Sequence, residues 1–104
     1  MKTFWTVLFY DAVENEFERE ITVGLFSDEQ KALAFAKTYA DSIKFGDNEN
    51  WTPMEYFEKK MYRHDSVESW DVSEYFAKGY GTTYRDRTKE VYVIKQDFAS
   101  DEDI

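Results

Sequence analysis

The alternation of apolar and polar residues in the first quarter of the chain predicts a β-hairpin. Residues 3–10 are largely apolar on both faces, which is typical of a strand in the interior of a sheet. A polar segment, residues 11–16, separates this strand from residues 17–25, where apolar residues alternate with glutamates. One face of the second strand is predicted to carry Phe17, Arg19, Ile21, Val23 and Leu25. We expect the two strands to pair in antiparallel orientation.

The next segment has the start signals and the periodicity of an α-helix, which we expect at residues 28–44. Ser27 is the expected N-cap, and Gln30 stands at the capping-box position. Two acidic residues lie in the first turn, where carboxylates favour the positive end of the helix dipole. The predicted buried face repeats every three or four residues and contains Ala32, Phe35, Ala36, Tyr39, Ala40 and Ile43. Gly46 is the expected stop.

A second helix is predicted in the middle of the chain. Thr52 can act as its N-cap, Pro53 suits the first helical position, and Glu55 completes a Thr-x-x-Glu capping box. Large apolar residues follow within the next two turns, namely Tyr56, Phe57, Met61 and Tyr62. We therefore expect a helix that ends at Arg63 or His64.

The last third of the chain predicts two further strands. Residues 70–76 alternate like a strand, although Ser69 or Ser73 could instead cap a short helix. Residues 79–89 are polar and contain glycine, which indicates an exposed connection or a turn. Residues 90–98 are rich in β-branched and aromatic side chains and predict a strand.

The predicted order of elements is β-β-α-α-β-β, which indicates an α+β fold. We expect a small antiparallel sheet with both helices packed on one face. With 104 residues the chain has the length of a single domain, which we place at residues 1–98. The acidic residues 99–104 are expected to form a flexible tail.

The composition excludes several classes of function. The chain has no cysteine, so a disulfide framework, a thiolate nucleophile and cysteine-ligated metal centres are excluded. A reducing cytoplasm fits this composition. The apolar run near the N-terminus is too short for a signal peptide or a membrane span. We therefore expect a cytoplasmic protein that does not contact membranes.

The charge balance points to the kind of partner. The chain has 22 Asp and Glu residues against 13 Lys and Arg residues, for a formal net charge of −9. Such a field repels phosphate backbones and anionic membranes and attracts basic surfaces. We expect a basic protein partner and no direct binding of nucleic acid. Solubility alone is the alternative reason for the charge.

Catalytic constellations are missing from the sequence. His64 is the single histidine, and no cysteine or serine motif near it supplies a nucleophile. Gly79 and Gly81 are not followed by a capped helix whose amides could hold a phosphate. Residues 101–103 are acidic, but they lack the spacing and the glycine of a calcium-binding loop. We therefore expect no enzyme, no cofactor and no metal site.

Carboxylates and aromatic rings are the candidates for a binding surface. Glutamates alternate along the predicted hairpin, which places them on one exposed edge or face. The 3 Trp, 8 Tyr and 9 Phe residues exceed what a core of this size buries, and exposed Tyr and Trp favour interfaces. The rings expected at the surface are Trp51, Tyr56, Tyr62, Tyr80 and Tyr84. The predicted partner-binding residues are Glu14, Glu16, Glu18, Glu20, Asp47, Glu49, Trp51, Tyr80 and Tyr84.

One junction in the chain carries a family resemblance. The stretch VGLFSDEQKALAFA, residues 23–36, resembles the strand-to-helix junction, of the FSxxExA type, in small and mostly uncharacterised phage and bacterial accessory proteins. The resemblance covers residues 3–40 and 90–103 and leaves the middle of the chain unmatched. It implies an N-terminal hairpin that leads into the helix, and a late strand that returns to the sheet before an acidic end.

Two functions are compatible with these features. In the first, a phage-encoded inhibitor or adaptor places its acidic face on the basic groove of a host defence or nucleic-acid-binding protein, in the host cytoplasm. This function is analogous, in charge and size, to that of anti-CRISPR and anti-restriction proteins. In the second, a structural or regulatory module self-associates as a homodimer through an unpaired strand edge, and its acidity serves only solubility.

Overall fold

The arrangement of strands and helix follows the hydrophobic pattern in the first half of the chain and departs from it in the second. The computed structural model describes residues 2–43, 53–64 and 72–98. Its elements, in chain order, are β1 (Lys2–Val13), β2 (Phe17–Phe26), α1 (Glu29–Ser42), β3 (Glu55–His64), β4 (Val72–Tyr84) and β5 (Arg87–Phe98). The fold is α+β, with a single helix in the described part of the chain.

The five strands form one antiparallel sheet in the order β2-β1-β5-β4-β3. Strand β1 lies between β2 and β5, which confirms the prediction of an interior strand that pairs with β2 as a hairpin. The turns of the two hairpins, β1–β2 and β4–β5, contain Asn15 and Arg85. Both residues have positive φ values, 64° and 57°, which is the left-handed conformation that tight turns often require.

Helix α1 packs across one side of the sheet, against β1, β2, β4 and β5, and we name this side the helix-covered face. Ala32, Ala36 and Ala40 are buried at four-residue spacing, and their small side chains allow the helix to approach the strands closely. The strands contribute Val7, Phe9, Val91 and Val93 to this main core. The remaining residues predicted for the buried helix face also pack there, namely Phe35, Tyr39 and Ile43. No helix in the described ranges is long and apolar enough to cross a membrane.

The N-terminus of α1 is capped by Asp28, so the prediction of Ser27 as the N-cap is wrong. Asp28 has an extended backbone, and its Oδ1 accepts hydrogen bonds from the backbone N–H groups of Gln30 (2.7 Å) and Lys31 (3.2 Å). Serine and aspartate are both favourable N-caps, so the sequence pattern cannot decide between two neighbours. The expected stop at Gly46 lies outside the described residues.

The prediction of a second helix is wrong, because β3 occupies that segment. This strand of 10 residues pairs with β4 in antiparallel register over its whole length. Its alternate residues Phe57 and Met61 pack on one face of the sheet, and this burial outweighs the local capping signals. Pro53 and Glu55 therefore lead into a strand, and Thr52 lies outside the described residues.

Strand β4 corrects another prediction, since it continues through the glycines that indicated an exposed connection. Gly79 is buried, and a Cβ built on it would lie 2.1 Å from the carbonyl oxygen of Val91. The glycine therefore permits close packing of β4 against β5 instead of forming a turn. The turn consists only of residues 85–86.

The other strand predictions in this region are confirmed. Within the segment predicted as residues 70–76, the strand begins at Val72, and the two residues before it lie outside the described part. The strand predicted over residues 90–98 is β5, and it begins earlier, at Arg87.

A β-bulge divides β2 into two halves. The pairing register shifts by one residue between Val7 and Leu8, and Val23 is the additional residue on β2. Beyond the bulge the alternation is inverted, so Phe26 packs against the main core while Leu25 lies on the other face and is 57% exposed. The prediction that Leu25 shares a face with Val23 is therefore wrong.

Candidate binding groove on the open face of the sheet

The side of the sheet turned away from α1 carries a second, smaller apolar cluster. Its buried members are Leu8, Ala77, Tyr92 and Ile94. The residues that pack around them, partly buried, are Tyr10, Phe57, Met61 and Tyr75. We name this side the open face, because α1 lies on the other side of the sheet.

A groove of about 860 Å³ lies on the open face. Four tyrosines line it: Tyr10, Tyr62, Tyr75 and Tyr92. Five carboxylates also line it: Glu14, Glu18, Glu20, Asp86 and Glu90. The basic side chains of the lining are Lys59 and Arg85, so the charged lining is negative overall.

The carboxylates of the groove come from both hairpins. Glu18 and Glu20 occupy alternate positions of β2, on the same side as Tyr10, which is the direct cross-strand partner of Glu20. Glu14 lies in the β1–β2 turn, and its backbone N–H donates a hydrogen bond of 2.9 Å to the carbonyl oxygen of Asp86 in the β4–β5 turn. This bond holds the two turns side by side, so carboxylates distant in sequence meet at one end of the groove.

Tyrosine hydroxyls contact the carboxylates on β2. The buried Tyr92 donates a hydrogen bond from its hydroxyl to Oε2 of Glu20. The pKa of Tyr10 is raised by burial first, then by the negative charges of Glu18 and Glu90, and by a hydrogen bond with Glu18. Tyr10 therefore keeps its proton at neutral pH and presents a hydroxyl donor beside acidic groups.

An ion pair inside the groove shows how this face holds a cation. Lys59 Nζ lies 2.9 Å and 3.0 Å from the two carboxylate oxygens of Glu90, and 4.7 Å from the ring centroid of Phe57. Lys59 belongs to β3 and Glu90 to β5, so the lysine side chain crosses β4 to reach its partner. Gly81 is the residue of β4 paired with Glu90, and a Cβ built on it would lie 3.1 Å from Cγ of Glu90 and 3.2 Å from the ring of Phe57.

The predicted partner-binding residues fall into four groups, and the fourth consists of Tyr80 and Tyr84 in β4. The groove brings together Glu14, Glu18 and Glu20. Glu16 is exposed in the same turn and is not part of the lining. The predicted residues outside the described part of the chain are Asp47, Glu49 and Trp51.

Tyr80 and Tyr84 do not line the groove, because they alternate in β4 with the residues of the open face. Tyr80 packs against the main core, meets Tyr56 edge to face at 5.5 Å between ring centroids, and has Lys37 Nζ 5.3 Å from its ring. The guanidinium carbon of Arg85 lies 5.4 Å from the ring centroid of Tyr84. A binding role for these two tyrosines stays a prediction.

Several residues of the groove were missed by the sequence interpretation. Tyr10 could have been identified from the hairpin register, because it stands opposite Glu20. Tyr75, Tyr92 and Glu90 depend on strand pairings that are distant in sequence, for which the sequence pattern offers no signal. Tyr62 was predicted to be exposed, and it is 64% exposed and lines the groove.

The helix-covered face contains a very different carboxylate. Asp11 is 4% exposed and accepts two hydrogen bonds from the Arg87 guanidinium, from Nε at 3.1 Å and from a terminal nitrogen at 2.9 Å. Burial alone raises the pKa of Asp11, but the hydrogen bonds and charge of Arg87 hold it below its ordinary value. Lys89 is also buried beside them, and burial and the charge of Arg87 lower its pKa. We infer that Asp11 and Arg87 stabilise the fold, because both oxygens of the carboxylate already accept hydrogen bonds from the guanidinium.

The groove combines negative charge, neutral tyrosine hydroxyls and aromatic rings, a combination that suits cationic groups. Within residues 2–43, 53–64 and 72–98, no group of three or more His, Asp or Glu residues could hold a metal ion. The side chain of His64 lies outside the described part of the molecule. Comparisons of this chain with protein-family models, with curated proteins and with solved structures found no significant match.

Proposed function

We propose that this chain is a small, acidic, non-catalytic inhibitor, encoded by a phage, that binds a basic nucleic-acid-binding or defence protein of the host. The open face is the binding surface, and it occupies the site that the partner uses for DNA or RNA. The observation that carries this proposal is the gathering of five carboxylates from both hairpins around one groove, whose lining has only two basic side chains. The inhibitor acts in the host cytoplasm, uses no cofactor and does not contact nucleic acid itself.

The spacing of the carboxylates supports nucleic-acid mimicry. Glu18 and Glu20 are two positions apart on a strand, a separation on the order of 6.7 Å. Successive phosphates on one strand of DNA rise by roughly 3.4 Å along the axis and also wind around it, so their separation in space is larger than this rise and comparable with the spacing of the two glutamates. Because the strands are paired in a sheet, the charges are held in place before the partner arrives, which reduces the entropy cost of binding.

The experiment that tests this function compares two charge-matched triple variants. The first carries Glu14→Gln, Glu18→Gln and Glu20→Gln in the groove. The control carries the same loss of charge on exposed residues outside it: Asp41→Asn, Glu58→Gln and Glu74→Gln. Binding to basic host nucleic-acid-binding proteins should weaken by about 1.5–3 kcal/mol in the groove variant, at roughly 0.5–1 kcal/mol per carboxylate, and change little in the control.

Salt and competition give further readouts for the same complexes. The affinity of the wild-type chain should fall steeply as the salt concentration rises, and DNA or RNA should compete for the partner. Salt-insensitive binding, or an equal loss in both triple variants, would contradict the proposed mimicry. Glu16→Gln is a further control, because Glu16 lies outside the groove lining and should be neutral.

Self-association is the second candidate function, and the edge strand β2 favours it. This strand is terminal in the sheet, and no described strand pairs with its outer edge. It exposes Phe17, Ile21 and Leu25, at 47%, 41% and 57%. Such an edge can pair with a second copy of the chain. Light scattering should then report a dimer that Ile21→Lys converts to a monomer, whereas a monomeric wild-type chain at high concentration rejects this candidate.

A further inference from the structure

The ion pair between Lys59 and Glu90 indicates what else the groove is suited to hold. The lysine ammonium lies between a carboxylate and the face of an aromatic ring, which is the arrangement that stabilises cations at partly desolvated sites. Lys59 is still 40% exposed, whereas the side chain of Glu90 is only 17% exposed. Glu90 is therefore a sheltered carboxylate, and a cationic group from outside has to compete with Lys59 for it.

The same combination of carboxylate and ring recurs on the neighbouring strands. Glu18 and Glu20 are exposed, and Tyr10 stands next to them with a hydroxyl that stays protonated. Tyr10 also pairs directly with Glu90 across β1 and β5, so a single row across the sheet contains Glu20, Tyr10 and Glu90. In this row the ring of Tyr10 has one carboxylate on each side, Glu20 on β2 and Glu90 on β5.

We propose that the groove recognises an arginine-rich segment of a partner protein, with guanidinium groups on Glu20 and Glu90 over the ring of Tyr10 and in competition with Lys59. This inference deepens the proposed function and rests on it. Arginine fits better than lysine, because a planar guanidinium donates two parallel hydrogen bonds to a carboxylate and stacks on an aromatic ring. A chain segment fits better than a free small cation, because the groove of about 860 Å³ lies open over several strands.

The probes are two peptides of equal length, one of alternating arginine and glycine and one of alternating lysine and glycine, titrated calorimetrically into the full chain. We expect the arginine peptide to bind more tightly than the lysine peptide. The double variant Glu18→Gln/Glu20→Gln should weaken the arginine peptide roughly tenfold. Its matched control, Asp41→Asn/Glu74→Gln, should change the affinity by less than about twofold. Glutamine at position 20 still offers an acceptor to the Tyr92 hydroxyl, so the sheet is retained.

Lys59→Met is the sharpest variant, because its expected effect has the opposite sign. Methionine has a side chain of similar length and removes the charge that occupies Glu90 and lies over the ring of Phe57. Affinity for the arginine peptide should rise about threefold or more if the peptide competes with Lys59 for Glu90. An unchanged or weakened affinity overturns the inference. It is also overturned if the lysine peptide binds as well as the arginine peptide, or if the control pair loses as much as the groove pair.

The outcomes separate this inference from the proposed function. If basic host proteins bind through the groove while Lys59→Met has no effect on the arginine peptide, the proposed function stands and arginine recognition is wrong. If the arginine peptide binds as expected but no basic nucleic-acid-binding protein does, the chemistry of the groove stands and the inhibitor function is wrong.

Discussion

The β1–β2 hairpin carries carboxylates on both of its faces, and the two faces treat them in opposite ways. On the helix-covered face Asp11 is buried and held by two hydrogen bonds from Arg87. On the open face Glu18 and Glu20 are exposed at the rim of a negative groove. Because side chains alternate along a strand, one position decides whether a carboxylate stabilises the fold or remains accessible to a partner.

The largest expected effect on stability concerns Gly79, a buried residue of the open face at which β4 packs closely against β5. Gly79→Ala would place a Cβ 2.1 Å from the Val91 carbonyl oxygen, so β4 and β5 must separate. We expect a loss of about 3 kcal/mol or more in the free energy of unfolding, measured by urea denaturation. Gly81→Ala is the matched control, because its nearest contacts are side-chain atoms at 3.1 Å and 3.2 Å, and it should lose under about 1 kcal/mol. Equal losses would show that the close approach at Gly79 is unimportant.

Asp11→Asn tests the structural carboxylate directly. The variant removes the negative charge that is hydrogen-bonded to Arg87 and that acts on the buried Lys89. Removing one member of a buried pair costs about 3–5 kcal/mol, and the partial exposure of Arg87, 39%, reduces our expectation to about 2 kcal/mol. Urea denaturation at neutral pH measures the loss, and an unchanged unfolding free energy would place Asp11 with the accessible carboxylates.

The free energy of unfolding should depend on pH differently in the wild-type chain and in Asp11→Asn. The folded-state pKa of Asp11 is lowered from its ordinary value of 3.8, so its contribution is fully present above about pH 4 and is lost as the pH falls through the folded pKa. The stability difference between wild type and Asp11→Asn should therefore shrink as the pH falls below about 4. Thermal unfolding from pH 7 to pH 2 measures it, and a constant difference would contradict the role given to the charge.

Asp28, the N-cap of α1, differs from both kinds of carboxylate, because it is exposed and yet stabilises the fold. Asp28→Ala removes the acceptor for the N–H groups of Gln30 and Lys31 and should cost about 1 kcal/mol. Ser27→Ala, at the neighbouring position, should be close to neutral. Urea denaturation of both variants measures the effects. A larger loss of stability in Ser27→Ala than in Asp28→Ala would show that Ser27 is the N-cap.

The smallest expected effect on stability belongs to the open face. Glu18→Gln/Glu20→Gln removes exposed carboxylates and keeps acceptors for the neighbouring tyrosine hydroxyls. Its free energy of unfolding should stay within about 0.5 kcal/mol of wild type in urea denaturation. A loss as large as that of Asp11→Asn would show that these glutamates are part of the framework, and the contrast between the two faces would fail.

The β1–β2 hairpin, α1 and β5 could be predicted because their signals are local. The hairpin, the apolar face of α1 and the strand β5 follow from alternation, helical spacing and β-branched composition. Strand β3 could not be predicted, because its capping signals are also local while its partner β4 is supplied by the tertiary structure. The glycines of β4 led to the wrong prediction of an exposed connection for the same reason. The close approach of β5, which requires a glycine at position 79, cannot be seen in the sequence.

The candidate site was predicted in part. The alternation of glutamates placed Glu18 and Glu20 on one face, and they line one groove. The tyrosines that complete this groove come from β1, β3, β4 and β5, and only their pairing brings them together. Tyr80 shows the limit most clearly, because it belongs to the same strand as Tyr75 but occupies the opposite face.

The β-bulge at Val23 has a consequence for how this surface can evolve. One half of β2 keeps Phe26 in the main core, and the other half presents Glu18 and Glu20 to solvent. The additional residue between them interrupts the pairing with β1 and increases the local twist, so we expect substitutions near the turn to have little effect on the packing of Phe26. We expect selection to diversify the tip of the hairpin far faster than its base. The exposed residues near the turn can then change without changes in the packing of the main core.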